Sequence, residues 1–249
     1  MPIALITGGS RGLGRSSALH LARAGVDVVI TFQSNEAAAA EVVAAIEGLG
    51  RQARAHRLDT ADTGGFPAFA EALAASLAAM GDGRLDMLVN NAGTGLYVPF
   101  EQVTEAQFDD MMNVHLRGVF FLTQRLLPLL RDGGRILNVS SGLARFALPG
   151  SSAYATMKGG VEVLTRYLAR ELGPRGISAN VIAPGAIETD FGGGRVRDNP
   201  DMNRMVAGLT AMGRVGLPDD IGAAVASLLT SESNWITGQR IEASGGQAL

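Results

Sequence analysis

A tyrosine and a lysine one helical turn apart are the residues in this sequence best suited to acid–base chemistry. Tyr154 precedes Lys158 by four positions, and Lys158 is the only lysine among the 21 lysines and arginines of the chain. This spacing puts both side chains on one face of a helix. A free phenol titrates near pH ~10, and a nearby ammonium lowers that pKa by favouring the phenolate. The pair predicts proton exchange between Tyr154 and a carbonyl or alcohol oxygen, with a tyrosine that only packs a helix as the alternative.

Two serines lie where a predicted strand ends, shortly before this pair. Ser140 and Ser141 close an apolar run that starts at residue 135. Open α/β sheets bind ligands at the carboxyl ends of their strands, and a hydroxyl there can hydrogen-bond a substrate oxygen beside the phenol. A polar strand end without a catalytic role has the same appearance, and the strand alone does not choose between Ser140 and Ser141.

A glycine-rich turn near the amino terminus has the composition of a phosphate-binding loop. Residues 7–14 read Thr-Gly-Gly-Ser-Arg-Gly-Leu-Gly and join the first predicted strand to the first predicted helix. Side chains at Gly8, Gly12 or Gly14 would block the approach of a pyrophosphate to the helix N-terminus. No Gly-Lys-Ser or Gly-Lys-Thr follows, which argues against a P-loop. The turn predicts dinucleotide binding, with a purely structural turn as the alternative.

The residues after the second predicted strand indicate which dinucleotide is bound. An acid here would bind the ribose hydroxyls of NAD(H), but none occurs before Glu36, and Asp27 lies at the wrong end of the strand. Arg11 in the glycine turn and Ser34 after the strand are suited to a 2′-phosphate, although an Arg11 that is simply solvated is the alternative. The sequence therefore favours NADP(H) over NAD(H), with Asn35 next to Ser34 as a further contact.

Hydrophobic periodicity predicts alternating strands and helices. Strands are predicted at residues 3–7, 26–31, 53–58, 85–90, 135–140, 177–182 and 239–243. Helices are predicted at residues 15–24, 36–49, 66–80, 105–130 (with an irregularity near Pro128), 153–172 and 218–229. The alternation predicts one α/β domain over residues 1–249, a Rossmann fold whose doubly wound, seven-stranded parallel sheet has helices on both faces. Residues 188–212 lack periodicity and predict a mobile substrate loop with short helices.

Composition argues against several other classes of protein. The net charge is −3 and the basic residues are dispersed, which does not suit a nucleic-acid groove. Cysteine is absent, and His20, His56 and His115 are not spaced as metal ligands, so no metal site is expected. No apolar run approaches the about 20 residues of a membrane helix. The short apolar start lacks the basic residues of a signal peptide, and a cytoplasmic protein is expected.

Together these motifs resemble those of short-chain dehydrogenases/reductases along essentially the whole chain. The family's Thr-Gly-x-x-x-Gly-x-Gly turn corresponds to residues 7–14, its Asn-Asn-Ala-Gly segment to residues 90–93, and its Pro-Gly segment to residues 184–189. Its Tyr-x-x-x-Lys corresponds to Tyr154 and Lys158. The family serine, thirteen positions before the tyrosine, corresponds to Ser141. The resemblance implies an oxidoreductase that uses a nicotinamide dinucleotide.

The resemblance also implies roles for individual residues. Asn113, Ser141, Tyr154 and Lys158 correspond to the catalytic residues, with Asn113 helping to hold a water that relays protons to Lys158. Lys158 is implied to bind the nicotinamide ribose as well. The implied cofactor-binding residues are Gly8, Ser10, Arg11, Gly12, Leu13, Gly14, Ser34, Asn35, Asp59 (adenine), Asn91, Ala92, Gly93, Tyr154, Lys158, Pro184, Gly185, Ile187 and Thr189 (these last two on the carboxamide).

The implied reaction is the reduction of a ketone or aldehyde to an alcohol. Residues 214–221 are similar to those of 3-oxoacyl-acyl-carrier-protein reductases, in which a basic residue that docks the carrier corresponds to Arg175. Asp132 stands where a second basic residue is expected, although Arg131 and Arg135 flank it. This departure argues against carrier docking, so a 3-oxoacyl thioester and a free carbonyl compound both stay open as substrates. The candidate pocket residues are Leu143, Ala144, Leu148 and Phe191.

A non-catalytic redox sensor that binds NADP(H) is the alternative to an enzyme. Such proteins often lack the tyrosine or the lysine, and both are present here. The resemblance further implies a homo-oligomer, often a tetramer, formed by the helices that carry Asn113 and Tyr154. The apolar residues expected on that surface are Met111, Val114, Leu116, Val119, Phe120, Val161, Leu164 and Leu168.

Overall fold

Seven parallel strands form one sheet in the computed structural model, which describes residues 1–249. The strands are β1 (Ile3–Ile6), β2 (Asp27–Phe32), β3 (Ala53–Arg57), β4 (Leu85–Asn90), β5 (Leu130–Val139), β6 (Ser178–Pro184) and β7 (Arg240–Ala243). Their order is β3-β2-β1-β4-β5-β6-β7, and every neighbouring pair is parallel. Parallel neighbours need crossover connections, which explains the alternation of strands and helices. The predicted single-domain Rossmann fold is confirmed.

Helices cover both faces of this sheet. They are α1 (Gly12–Arg23), α2 (Glu36–Gly48), α3 (Phe66–Met80), α4 (Glu105–Met112), α5 (Gly118–Leu126), α6 (Ser152–Leu172), α7 (Arg195–Asp198), α8 (Pro200–Gly208) and α9 (Pro218–Thr230). Helices α1, α2 and α9 bury side chains such as Leu21 and Val42 on one face, and α3, α5 and α6 bury Leu73 and Leu122 on the other. Burial of one such side chain stabilises the fold by about 1.5–3 kcal/mol. None of the helices has both the length and the apolar composition to cross a membrane.

The long helix predicted over residues 105–130 is present as helical backbone over residues 105–126, but a π-turn divides it. Helix α4 ends at Met112, Asn113–Arg117 forms a π-turn, and α5 continues from Gly118. At that junction the backbone runs so close to Thr60 that a side chain at Gly118 would collide with its carbonyl oxygen. A π-turn holds more residues than an α-turn and locally changes which side chains share a face. The π-turn that begins at Asn113 was not predicted, and the helix ends at Leu126, two residues before Pro128, where the irregularity was expected.

Strand β5 also begins earlier than predicted. Leu85 pairs with Leu130, whereas Met87 pairs with Arg135, so residues 131–134 bulge out between two paired positions. The bulge contains Gly133 with φ +76°, a conformation that favours glycine. Charged and glycine residues in the bulge interrupt the apolar pattern, which is why the sequence indicated a strand only from residue 135.

The loop predicted over residues 188–212 contains the short helices expected there. A 3₁₀ turn at Phe191–Gly194 leads into α7 and then α8. The glycines of this turn all have positive φ, between 60° and 76°. Asn199 caps α8 by accepting the N–H groups of Asp201 and Met202. The mobility of the loop stays a prediction.

Candidate active site

The chain order of the sheet reverses between β1 and β4. The chain runs outward from β1 to β2 and β3, then returns to place β4 on the other side of β1. In open α/β sheets such a reversal leaves a crevice at the carboxyl ends of the strands. The glycine turn follows β1, Asn91 follows β4, Ser141 lies just beyond β5, and Gly185 follows β6. The topology therefore brings the predicted site residues to one edge of the sheet.

The glycine turn has no room for side chains at three of its positions, and at Gly9 a Cβ would lie 2.6 Å from Ile30 Cβ. Gly8 has φ +64°, and a Cβ there would lie 2.9 Å from Ala92 Cα. A Cβ at Gly14 would collide with the Gly8 carbonyl oxygen and lie 2.6 Å from Asn91 Nδ2. The Asn91 amide donates to the carbonyl oxygens of Thr7 at 2.9 Å and Gly8 at 3.2 Å. Asn91 thus holds the turn in a shape that presents the N–H groups at the start of α1, a suitable site for an anion.

Three of the four side chains expected at the adenosine end of the crevice have partners within the chain. Arg11 forms an ion pair with Asp190 at 2.6 Å. Asn35 caps α2 by accepting the Ala38 N–H at 3.0 Å, and Asp59 accepts the Gln33 amide at 3.1 Å. Ser34 is exposed at the end of β2. Arg11 must therefore exchange Asp190 for any phosphate that it binds.

Arg57 is a basic residue at this end that sequence reasoning missed. It closes β3, and the register places it beside Phe32, the last residue of β2. Its Nε donates to the Gln33 carbonyl oxygen at 3.0 Å, and the side chain is exposed. The strand order could have indicated Arg57, because the end of β3 lies next to the residues after β2 that select the cofactor.

Tyr154, Ser141 and Lys158 meet beyond the carboxyl end of β5. Lys158 Nζ lies 5.6 Å from the centre of the Tyr154 ring and donates to the Val139 carbonyl oxygen at 2.8 Å. Both side chains are buried. The Ser141 hydroxyl accepts the Leu143 N–H at 3.2 Å and is hydrogen-bonded to Tyr154. The structure brings together three of the four predicted catalytic side chains.

Ser140 belongs to a different set of contacts. It is buried and donates to Glu162 Oε1 at 2.7 Å, an oxygen that also accepts Arg240 Nε at 2.7 Å. Arg240 in turn donates to the Ser141 carbonyl oxygen at 3.2 Å. This network fixes the strand end so that Ser141, and not Ser140, is the serine beside Tyr154.

The expected lowering of the Tyr154 pKa is wrong for the protein without cofactor. Burial raises the pKa of Tyr154 above its ordinary value, and the hydrogen bond from Ser141 offsets this only in part. Burial also lowers the pKa of Lys158 to about 8. The physical reason is the same for both groups, because a site that excludes water disfavours the charged form of each. Tyr154 is a phenol that keeps its proton at neutral pH.

His115, rather than Asn113, is the residue of the π-turn that contacts Tyr154. The rings of His115 and Tyr154 lie 5.1 Å apart, with planes at 88°. Asn113 begins the π-turn, and its Oδ1 is buried without a hydrogen-bond partner. The proton-relay role of Asn113 stays a prediction. Sequence reasoning considered His115 only as a metal ligand, since helical spacing does not reveal the turn that aims it at Tyr154.

The segment after β6 carries the residues expected near the nicotinamide. Pro184 ends β6, and a Cβ at Gly185 would lie 2.7 Å from Gln247 Oε1. Ile187 forms an isolated parallel bridge that fixes the path of the segment. Thr189 is buried and reaches back over the glycine turn, with its Cγ2 3.7 Å from the position of a Cβ at Gly12. The segment thus forms a wall of the crevice opposite the turn.

Aromatic side chains cover the mouth of the crevice next to Tyr154. The Phe191 ring lies 5.8 Å from the Tyr154 ring. Tyr97, in the loop after β4, has the Arg195 guanidinium 4.9 Å from its ring centre. Leu143, one of the predicted pocket residues, packs against the apolar cluster that contains Tyr154. Phe191 was predicted here, whereas Tyr97 was not, because nothing in its local sequence shows which way its loop folds.

The arginines expected to dock a carrier protein are bound by acidic groups of this chain. Arg175 Nε forms an ion pair with Asp132 at 2.7 Å. Arg131 pairs with Asp82 at 2.7 Å and with Asp86 at 2.9 Å. Both arginines lie at the amino-terminal edge of the sheet, before β6 and at the start of β5, whereas Tyr154 lies at the opposite edge. Asp132 therefore neutralises Arg175 at the edge of the sheet opposite the crevice of the same chain.

The apolar surface expected for contacts between subunits is only partly present. Met111, Val119 and Val161 are buried within the chain, which corrects their prediction as surface residues, because they pack inward from α4, α5 and α6. Phe120 is exposed as predicted. Other exposed apolar residues on α5 and α6 are Phe121, Val163 and Tyr167. The oligomeric state stays a prediction.

Comparison with known proteins agrees with this geometry. A family model described as Enoyl-(Acyl carrier protein) reductase matches residues 8–248. The hydroxynaphthalene reductase-like protein Arp2 of Metarhizium brunneum is 36% identical, over 98% of this chain and 94% of its own length. The promiscuous reductase LugOII, which catalyses keto-reduction at C1 during lugdunomycin biosynthesis, is 41% identical with a TM-score of 0.93, over 98% of this chain and 96% of its own. The angucycline C-6 ketoreductase LanV, solved with bound NADP, is 38% identical with a TM-score of 0.94, over 99% of this chain and 95% of its own. The chain therefore belongs to the short-chain dehydrogenase/reductase family of oxidoreductases.

Proposed function

We propose that this protein is an NADP(H)-dependent ketoreductase that reduces a ring ketone of a flat aromatic compound. The observation that carries the proposal is the meeting of Tyr154, Ser141 and Lys158 at the edge of the sheet where the glycine turn opens. Keto-reduction is the reaction of LugOII, and LanV is a ketoreductase. A buried phenol beside a hydroxyl and an ammonium suits that reaction, because the carbonyl oxygen needs both a proton and hydrogen bonds.

The residues around the crevice fit NADP(H). The turn has no Cβ at Gly8 or Gly14, where one would distort the phosphate site. Arg11, Ser34 and Arg57 would bind the 2′-phosphate, and Lys158 would bind the nicotinamide ribose. The NADP bound in LanV supports the same choice of cofactor. NADPH, when bound, supplies the hydride that the carbonyl carbon accepts.

The chain's own groups supply the proton and hold the carbonyl oxygen. Tyr154 retains its proton at neutral pH because burial raises its pKa, and it donates that proton to the oxygen. The Ser141 hydroxyl, beside Tyr154, donates a hydrogen bond to the same oxygen. The Lys158 ammonium stabilises the phenolate that is left on Tyr154. These interactions are strong because the Tyr154 and Lys158 side chains are buried and water is excluded from them.

The form of the pocket mouth supports a flat aromatic substrate. Phe191 is a partly exposed ring close to Tyr154, and Tyr97 is a partly exposed ring close to the adjacent Gly192, with the Arg195 guanidinium against it. A planar ring gains about 0.5–1.5 kcal/mol from each good aromatic contact beyond the burial of its area. The relatives named for hydroxynaphthalene and angucycline chemistry support the same class.

A 3-oxoacyl thioester is the second candidate substrate. The acyl-carrier-protein name of the matching family model favours it. The ion pair between Arg175 and Asp132 opposes it, because an acidic carrier would have to displace Asp132. We therefore rank the free ring ketone first.

A substrate panel tests this proposal. We expect kcat/KM with NADPH to be at least about tenfold higher for bicyclic aromatic ketones than for an acyclic 3-oxoacyl thioester, because only the former stack on two rings. The thioester is assayed both free and attached to an acyl carrier protein, with NADPH consumption as the readout. A higher kcat/KM for the carrier-bound thioester would contradict the ranking. Binding of NADPH without turnover of any carbonyl compound would instead indicate the redox-sensing alternative.

A second prediction concerns the choice of cofactor. We expect Arg11→Gln and Arg57→Gln each to lower the ratio of kcat/KM for NADPH to that for NADH by roughly tenfold to a hundredfold, the value of a hydrogen bond to a charged group. Arg23→Gln, at the other end of α1, is the matched control and should leave the ratio unchanged. The proposal of NADP(H) is wrong if the wild-type protein prefers NADH, or if neither of the first two variants changes the ratio.

A further inference from the structure

A buried glutamine joins two sides of the crevice and has no role in the mechanism described so far. Gln247 follows β7 and is only 4% exposed. Its side-chain oxygen accepts the Ala186 N–H at 2.9 Å, and its backbone carbonyl oxygen accepts Arg145 Nη2 at 2.7 Å. This one residue therefore connects the β6 wall (residues 184–189) to the serine turn (residues 141–145).

The β6 wall is held close to Gln247 by two neighbouring hydrogen bonds. The Gly185 N–H donates to the carbonyl oxygen of Ala243, the last residue of β7, at 3.2 Å. The next N–H along the chain, that of Ala186, is the one that Gln247 accepts. A Cβ at Gly185 would lie 2.7 Å from Gln247 Oε1, so the glycine allows this close approach. The Gln247 side chain thus fixes the β6 wall where it leaves the sheet.

The serine turn is tied to the same part of the chain by one guanidinium. Arg145 donates to the carbonyl oxygens of Gln247 at 2.7 Å and Ala248 at 3.0 Å. It also donates to both carboxylate oxygens of Glu242, at 2.8 Å and 3.0 Å. Ser141 lies four residues before Arg145, and its hydroxyl caps the 3₁₀ turn between them. A movement of Arg145 would therefore be transmitted to Ser141 through a single short turn.

The backbone on both sides of Gln247 is fixed as well. The Ala248 N–H donates to the Leu209 carbonyl oxygen at 2.9 Å, and the Gly246 carbonyl oxygen accepts the Ala211 N–H at 3.2 Å. Leu209 and Ala211 belong to the end of the predicted substrate loop. Because both of its neighbours are paired, Gln247 presents its side chain from an anchored backbone.

The two sides that Gln247 joins hold the two partners of the proposed reaction. Ser141 binds the carbonyl oxygen, and the β6 wall carries Ile187 and Thr189, which the family resemblance places at the nicotinamide carboxamide. Reacting atoms must lie about 3–3.5 Å apart, and a misplacement of about 1 Å can cost roughly a hundredfold in rate. We propose that Gln247 is a positioning residue that sets the spacing between cofactor and ketone. This inference rests on the proposed function, since it assigns Gln247 a part in the same reaction.

Removal of the side-chain acceptor tests this role. Gln247→Met keeps the length of the side chain but cannot accept the Ala186 N–H. We expect the single-turnover rate of NADPH oxidation by a ring ketone to fall about tenfold to a hundredfold, while the Kd for NADPH and the KM for the ketone change much less. Gln239→Met is the matched control, because that side chain is exposed and donates only to the Thr237 carbonyl oxygen. It should leave all three quantities unchanged.

The connection can also be broken from its other side. Arg145→Met removes the donors to Gln247 and Ala248 but leaves Glu242 paired with Arg240. We expect this variant to slow the same step by a similar factor. The double variant with Gln247→Met should be within about twofold of the slower single variant, because a connection that is already broken cannot be lost again. Two residues that only stabilise the fold would instead give losses that multiply.

Thermal unfolding and NADPH titration establish that each variant is folded. The proposal is overturned if folded Gln247→Met keeps the wild-type single-turnover rate, or if the two losses multiply in the double variant. Arg145 is exposed, so Arg145→Met tests the connection even where Gln247→Met does not fold, and an unchanged rate there overturns the proposal too. A wild-type protein that binds NADPH but reduces no ketone would refute the proposed function instead, which keeps the two failures distinct.

Discussion

Replacement of Tyr154 by phenylalanine is expected to lower kcat for ketone reduction by roughly a hundredfold to ten-thousandfold, the usual contribution of a positioned acid. Phenylalanine keeps the ring that packs against His115 and Phe191 but has no proton to donate. NADPH affinity should stay close to that of the wild type, because the glycine turn and Lys158 are unchanged. Steady-state turnover together with fluorescence titration of NADPH measures both quantities.

The chain offers a matched control for this substitution. Tyr167 lies on the same helix as Tyr154, but its side chain is 63% exposed. Tyr167→Phe removes the same hydroxyl group from a position far along the helix and should leave kcat unchanged. Equal turnover of Tyr154→Phe and the wild type would show that another group supplies the proton.

The second large effect is expected at the single lysine. Lys158→Met should lower kcat/KM by about a hundredfold to a thousandfold, the usual cost of removing one electrostatic contact to the transition state. The methionine fills the buried space but cannot stabilise the Tyr154 phenolate or bind a ribose hydroxyl. Measured kcat/KM values for NADPH and for a ring ketone separate the loss of cofactor binding from the loss of chemistry.

The pKa of Lys158 predicts the direction in which kcat/KM changes with pH. Burial lowers that pKa to about 8, so the ammonium is present below pH 8 and is lost as the pH rises through that value. Wild-type kcat/KM for NADPH, which reports ionisations of the free protein, should therefore fall above about pH 8. Lys158→Arg keeps its charge throughout this range and should not show that fall. An alkaline limb that persists in Lys158→Arg would assign the ionisation to another group.

The parts of the site that follow from local sequence were predictable. Alternating apolar runs indicate the parallel sheet, and a sheet of this kind binds ligands at the carboxyl ends of its strands. The glycine turn after β1 and the four-residue spacing of Tyr154 and Lys158 both survive in the structure because each depends on a single turn or helix. Ser141 could be chosen over Ser140 only through the family resemblance, and the contact of Ser140 with Glu162 explains that choice.

The parts that depend on contacts between distant segments were not predictable. Arg11 pairs with Asp190, a residue 179 positions away, so no local pattern shows that it is occupied. His115 contacts Tyr154 from a π-turn within the helix, and the repeat of apolar residues does not reveal such a turn. The direction in which the Tyr154 pKa shifts also depends on burial, and the spacing of Tyr154 and Lys158 does not indicate burial. An ammonium one turn away predicts a lowered value, whereas desolvation raises it.

The ionisation of Tyr154 is the most direct test of the claim that a buried, neutral phenol is the proton donor. The protein has three tyrosines, so ¹³C labelling at Cζ gives few signals, and the signal missing from Tyr154→Phe identifies this residue. In the protein without cofactor we expect this signal to stay at the position of a protonated phenol up to and beyond pH ~10, the ordinary value for tyrosine. Titration of the Tyr154 signal near neutral pH would contradict the account, because the residue would then be a phenolate without a proton to give.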